Sequence, residues 1–429
     1  MDLPGHLAFG VILLTIPSRG EGGTMSTRMA TGLSGVRNCE NAAASALKEA
    51  LEKLGGAPPG LALVHASSSC DYQRVLEFAK KTLGNVPLVG CSTAGHFTEN
   101  RMGPGGVAAA LLSSDSMTFS TAMACGLRAD PEGVVRTLAQ SIPTVPEGRH
   151  LTAVLFADGL SGTGEELTIF ASRLFERFAG CPVTLIGGFA GDDLHFRETR
   201  VFQGSSHAAD AASVCFITSE SPFPTGVRHG HKPLSKPHTV TSARKNLVVE
   251  VDGLPAWEVW SRETGYALEK LKSRYRIGSP EEFSALVLGN FELGLCTDGE
   301  DYKLRFPMTV NPDGSMVFTC SIPQGSVFRI MDGSETDSQV EASARAAADA
   351  LKASETSNTG KSAGMLVFEC GVRLALLKDD FIRAIESYRR IVPGIPVIGW
   401  ETYGEIRMNP GGYSGFHNTT TVVALVPED

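Results

Sequence analysis

The chain has 429 residues, of which 42% are apolar and 20% charged. That length exceeds what one core ordinarily serves, and the apolar content excludes a chain disordered through most of its length. With 38 Lys and Arg against 47 Asp and Glu, the net charge of −9 argues against a dedicated nucleic-acid binder, which would be basic.

The first apolar run, LAFGVILLTI at 7–16, is too short to span a bilayer. MDLPGH before it lacks the basic n-region of a signal peptide. Glu21-Gly22-Gly23 would be encoded by purine-rich codons resembling a ribosome-binding site, just upstream of Met25. Residues 1–24 therefore read as an untranslated leader, and 25–57 as an N-terminal strand and helix extension. A 58–254 region and a 255–429 region follow.

From residue 58 onward a unit recurs three times. The upstream strands are LALVHA (61–66), TAVLFA (152–157) and GMLVFE (364–369). Each is followed by a helix. The clearest is 165–178, where Leu167, Phe170, Ala171, Leu174, Phe175 and Phe178 recur at three and four residues. The same spacing, more sparsely filled, predicts helices at 73–83 and 380–391. A second strand then ends in glycine: VPLVGCSTAG (86–95), VTLIGGFAGD (183–192) and IPVIGWETYGE (395–405). The chain returns through GVAAALL, SVCFIT and TVVALV. Helix-linked strands predict parallel pairing and short returns predict antiparallel pairing, so the fold class is mixed α/β (α+β), with mixed sheets covered by helices.

Between the second and third units, residues 219–245 carry no period and read as an ordered loop. LVVEVDG (247–253) reads as a strand with a turn, 256–275 as a helix, and ALVLG (285–289), YKLRFPMTV (302–310) and SMVFTC (315–320) as a meander. Asp313-Gly314 predicts its hairpin. A loop at 278–282 and an alanine-rich helix at 338–353 complete the pattern.

Nine cysteines occur without a C-x-x-C pair, so neither a zinc finger nor a disulfide framework is indicated. Buried free thiols and a reducing, cytoplasmic compartment are the expectation.

VGCSTAG (89–95), LFADGLSG (155–162), GGFAGDDLHF (187–196), HGHKP (229–233), VTSARKNLVVEVDGLPAWEVW (240–260), IPQGSVFRI (322–330), VFECGVRLALL (367–377) and YGEI (403–406) together resemble the FIST family, the F-box and intracellular signal transduction domain proteins. The resemblance runs from about residue 58 to the C-terminus, over both FIST regions. It implies a stand-alone sensory module for a small ligand, amino acids among the candidates. Its signal would pass to a separate partner, a histidine kinase or cyclic-dinucleotide enzyme. One FIST subgroup senses nitric oxide through haem, which gives an alternative. The family commonly carries an aromatic residue where this chain has His231.

Several residues are candidates for the site. Gly90, Gly187, Gly188 and Gly399 at strand ends would let backbone N–H groups approach an anion, or else serve as turns of a repeated fold. Cys91 and Ser92 follow the first of these glycines. Asp158, Asp192, Asp193 and Glu405 could hold an ammonium group, and Arg373 a carboxylate, with Tyr403 beside them; each could equally cap a turn or pair with a neighbour. Cys91 would be the nucleophile of a cysteine-dependent enzyme, though no accompanying base is recognisable. His229 and His231, two apart on a strand, are the candidates for a haem ligand; no other cofactor is indicated.

Overall fold

The computed structural model describes residues 26–103, 105–274, 286–296, 302–412 and 414–429. The proposed leader at 1–24 and the loop at 278–282 lie outside the described residues.

The repeat is real, and each copy is longer than the sequence pattern marks. Every unit begins with a further strand: Arg28–Ser34, Thr118–Cys125 and Thr225–Arg228. A helix follows each, at Cys39–Leu54, Pro131–Ala139 and Thr336–Ser357. The stretch read as an N-terminal extension is thus the front of the first unit. Local chemistry delimits these helices. Asn38 and Asp130 accept the backbone N–H of Asn41 at 2.9 Å and of Gly133 at 2.8 Å, satisfying helix-start donors. Gly55 ends the first helix in the left-handed conformation.

The expected central elements then follow. The upstream strands are Leu61–Ser67, His150–Ala157 and Ser362–Cys370. The helices are Tyr72–Leu83, Gly164–Ala179 and Phe381–Ile391. The glycine-bearing strands are Leu88–Thr93, Val183–Phe189 and Val397–Thr402. Upstream and glycine-bearing strands pair in parallel, and the return strands pair antiparallel to the upstream ones, as the connection lengths require.

Each six-stranded sheet is completed by a pair of short strands from another unit. His96–Thr98 of the first unit pairs with Val397–Thr402 of the third. Glu405–Met408 of the third pairs with Val183–Phe189 of the second. Val201–Gln203 of the second pairs with Leu88–Thr93 of the first. The exchange is cyclic, and the three units close on one another.

The inner faces of the sheets share one core. His65, Phe156 and Phe368 hold corresponding positions, opposite Cys91, Gly188 and Trp400. His65 stacks on Trp400 at 4.0 Å between ring centroids, and Phe368 meets Trp400 at 4.4 Å. Burying such side chains contributes on the order of 1.5–3 kcal/mol each.

The stretch expected as a loop at 219–245 is not one. It holds the strand Thr225–Arg228, which pairs with the C-terminal strand Thr421–Pro427, and the strand His238–Arg244. After Arg228 the chain leaves the third unit, returning at Thr336. The intervening residues build a nine-stranded antiparallel sheet packed on the helix Ala256–Arg274 around Trp260. We refer to this as the inserted domain. It joins residues from both sides of position 254 in one sheet. The expected strand ALVLG is helical from 286 to 290, and the strand starts at Phe291. The predicted hairpin forms: Asp313 accepts from Ser315 N–H at 3.0 Å, and Gly314 has φ 82°.

Candidate functional site

The carboxyl ends of the parallel strands meet the inserted domain, and a cavity of about 140 Å³ lies between them. Its floor is the turn 159–164 and strand-end residues Phe189, Thr402 and Tyr403. Leu194 and Phe196 form one wall; Asn246, Phe306, Met308 and Phe318 of the inserted domain form the other. Phe189 and Phe416 pack edge to face at 5.1 Å, and Phe196 stacks on Tyr403 at 4.6 Å. No Asp, Glu, Lys or Arg lines the cavity among the described residues.

The wall 193–198 is backbone held in an unusual state. Asp193, Leu194 and Phe196 have φ of 53°, 63° and 54°, a region that disfavours side chains. Two carboxylates fix it. Asp192 accepts the N–H groups of Phe196 at 2.8 Å, Arg197 at 2.6 Å and Glu198 at 3.0 Å, and the hydroxyl of Tyr403 as well. Asp193 accepts Ser67 Oγ at 2.8 Å and Ser68 N–H at 2.6 Å from the neighbouring unit.

The candidates from sequence do not form one site. Tyr403 lines the cavity, and Asp192 shapes it from behind. Asp158 is buried and consumed by Thr199 Oγ1 at 2.5 Å, the N–H groups of Leu160 at 2.8 Å and Asp210 at 2.7 Å, and Arg128 at 3.3 Å. Glu405 is buried and accepts from Thr402 Oγ1 at 3.0 Å and from Thr420 N–H at 3.0 Å and Oγ1 at 2.8 Å. Burial pushes its carboxyl up to about 8, although those bonds favour the ion.

Arg373 is fully buried away from the cavity. It pairs with Glu369 and donates to Gln339 Oε1 at 2.9 Å, Gln339 O at 2.8 Å and Ser343 Oγ at 2.8 Å. Arg373 is therefore committed to the helix Thr336–Ser357, not to a ligand carboxylate.

The glycines lie inside strands, not at strand ends. A Cβ on Gly90 would stand 1.7 Å from the Val64 carbonyl oxygen, and one on Gly187 1.9 Å from that of Leu155. A Cβ on Gly188 would meet Thr402 Cγ2 at 2.5 Å, and one on Gly399 the Phe97 ring at 2.0 Å. Close approach of neighbouring chain segments requires these glycines; an anion cradle is not what they form.

Ser92 exchanges bonds with Arg200: its N–H donates to the Arg200 carbonyl and its Oγ accepts the Arg200 N–H, both at 2.9 Å. Cys91 is fully buried, and its Sγ lies 3.7 Å from Nδ1 of His65, a neighbour the sequence did not single out. Burial pushes this thiol far up and His65 well down, and the pair faces the sealed core rather than an opening.

The haem alternative needs a free imidazole nitrogen beside an apolar slab. His231 is buried with Nε2 at 2.9 Å from the Gly289 carbonyl and Nδ1 at 3.3 Å from the Gln339 amide. His229 faces a polar groove that Arg228, Lys303, Arg345 and Arg407 also line. These residues do not fit a haem.

Family comparisons agree with the fold. A FIST N domain matches residues 60–254 and a FIST C domain residues 267–408. The chain belongs to the FIST family. FIST domains are associated with sensing in signal transduction. An uncharacterized protein of Mycobacterium bovis is 25% identical over 259 residues, 57% of this chain and 61% of that protein. The chain thus spans about three-fifths of this relative. An uncharacterized protein of Mycobacterium tuberculosis is 24% identical over 428 residues, covering 93% of this FIST chain and 99% of the relative. Among the described residues, no helix is long and apolar enough to cross a membrane.

The cavity draws on both matched regions: 159–164, Phe189 and Asn246 come from the first, Phe306, Phe318 and Tyr403 from the second. Sequence reasoning missed its aromatic lining, because Phe196, Phe306 and Phe416 share no motif and come from a loop of the second unit, the inserted domain and an exchanged strand of the third. The run of Asp-Asp before Leu194 was the usable signal.

Proposed function

We propose that this FIST protein is a sensor whose small ligand binds in the cavity between the strand ends and the inserted domain. The observation that carries the reading is a cavity of about 140 Å³ with aromatic walls drawn from both regions. Its size suits roughly ten heavy atoms or fewer, and its polar groups are amides and hydroxyls. A zwitterionic amino acid would lose the hydration of both charged groups there without charged partners. The ligand class best supported is therefore a small neutral molecule with an aromatic or branched apolar body and one hydrogen-bonding group.

Signalling follows as a population shift. A ligand touching both walls favours the arrangement in which the inserted domain is closed on the strand ends, by as much as its affinity differs between arrangements. A separate partner, such as a histidine kinase or a cyclic-dinucleotide enzyme, would read the changed surface.

The test is a thermal-shift screen of phenol, indole and benzamide against free amino acids, repeated with Val372→Phe, which fills the cavity. A neutral aromatic should raise the melting temperature of the native chain and not of the variant. Equal shifts in both proteins, or a response to charged amino acids alone, would overturn the reading.

A further inference from the structure

A second, larger opening of about 740 Å³ lies on another side of the inserted domain. It separates Lys232, Pro233, Tyr302 and Lys303 of that domain from the helix Thr336–Ser357 and from Arg407, Ser414 and His417. Its lining is strongly one-signed. Among the described residues, Arg228, Lys232, Lys303, Arg345 and Arg407 line it, with Glu341 as the carboxylate.

Three of these cations are paired. Arg228 holds Asp349 at 2.6 Å, Arg345 holds Glu341 at 2.7 Å, and Lys232 holds Glu335 at 2.5 Å. The other two are not. Lys303 donates to the Ser414 carbonyl at 2.9 Å and to its hydroxyl, and meets no carboxylate among the described residues. Arg407 donates through Nε to Thr225 Oγ1 at 3.1 Å, and its two terminal nitrogens have no acceptor among the described residues. Glu165, whose charge acts on Lys303, is already bound to Arg305 at 2.9 Å.

Burying unpaired cations is costly, and the cost shows in their proton affinities. Lys303 is pushed down to about 8, by burial first and then by Arg305. Arg407 is lowered by burial and then by Arg228, against the opposing pull of Asp349. His417, also in the lining, is held well below its ordinary value by burial and then by the charges of Lys303, Arg407 and Arg305, against its hydrogen bond to the Arg407 carbonyl. A bound anion would relieve all three. An ammonium point charge and an unused guanidinium edge lining one groove suit a phosphate-bearing anion, and the volume exceeds what inorganic phosphate alone would fill.

We propose that this groove is a second binding site, for a small phosphate-bearing organic anion whose phosphoryl group is held by Lys303 and Arg407. The proposal stands on residues separate from the aromatic cavity and does not depend on what binds there.

Titration calorimetry on the full chain tests it, with phenyl phosphate as probe and benzoate, inorganic phosphate and matched sodium chloride as comparisons. Saturable binding of one phenyl phosphate per chain is expected, tighter than benzoate. Lys303→Gln and Arg407→Gln should each weaken it by about ten-fold or more, and Lys303→Arg should retain most of it. Ser338→Trp, on a half-buried helix position lining the groove, should block binding while leaving both cations in place, which guards against a folding defect. Absence of saturable heat, equal binding in the Gln variants, equal affinity for benzoate, or an effect reproduced by sodium chloride would each overturn the proposal.

Discussion

The hydroxyl of Tyr403 donates to Oδ1 of Asp192, tying a strand end of the third unit to the loop that walls the aromatic cavity from the second. Three backbone N–H groups share the same carboxylate. Tyr403→Phe removes one bond of four and should cost about 1 kcal/mol, whereas Asp192→Ala strands three donors and should cost about 3 kcal/mol or more. Urea denaturation of both variants measures the ratio.

Two of the strand glycines face carbonyl oxygens that cannot move away. Gly90→Ala and Gly187→Ala should therefore fail to yield soluble folded protein, since a methyl would stand 1.7 Å and 1.9 Å from those oxygens. Gly399 faces the Phe97 ring instead. Gly399→Ala should be destabilised, and Phe97→Leu in the same chain should recover part of the loss. A double-mutant cycle by chemical denaturation checks that coupling.

The buried Arg373 and the exposed Arg383 make a controlled comparison. Arg373 pairs with Glu369 where both are fully buried, while Arg383 pairs with Asp337 at 2.6 Å on the surface. Removing one member of the buried pair leaves an uncompensated charge, so Arg373→Met should cost about 3–5 kcal/mol. Arg383→Met should cost far less than Arg373→Met, and added salt should shrink even that.

Stability should fall on both sides of a maximum on the acid side of neutrality. Burial pushes Glu401, with Glu369 adding to it, and Glu405 up to about 8 from an ordinary 4.5. Between those values the folded chain retains protons that the unfolded chain has released, so stability declines as pH rises. His231 and His96 run the other way, pushed by burial down to about 3 and about 4 from 6.5. Below 6.5 the unfolded chain gains protons that the folded chain refuses, so stability declines as pH drops. Melting temperatures from pH 4.5 to 8.5 should trace both limbs. Glu401→Gln should flatten the alkaline limb and leave the acid limb in place, because neither oxygen of Glu401 has a hydrogen-bond partner to lose among the described residues.

Much of the architecture was legible because it is written in local period. The face of Leu167, Ala171, Leu174 and Phe175 is buried as its spacing requires, and the three glycine-bearing strands pair as their connections dictate. The exchanged strands were not legible. His96–Thr98 and Val201–Gln203 are three residues each, too short for any period, and their partners lie far along the chain. For the site, residue type misled where burial decided. Arg373, Asp158 and Glu405 are the right groups for an amino acid, but internal donors and acceptors had already claimed them. The polar side chains that do line the cavity include Ser161, Asn246, Thr319 and Asn418, residue types too common for chemistry to single them out.

The cyclic exchange of strands also sets the order in which the molecule can be finished during synthesis. The first sheet borrows Val201–Gln203, and the second borrows Glu405–Met408, far along the chain from the strand it pairs with. A nascent chain halted after its second unit would expose the unpaired edge of Val183–Phe189, an apolar strand open to pairing with other chains. The second sheet can therefore be completed only once the third unit has been made. High contact order of this kind implies slow folding and a need for chaperone cover until the ring closes.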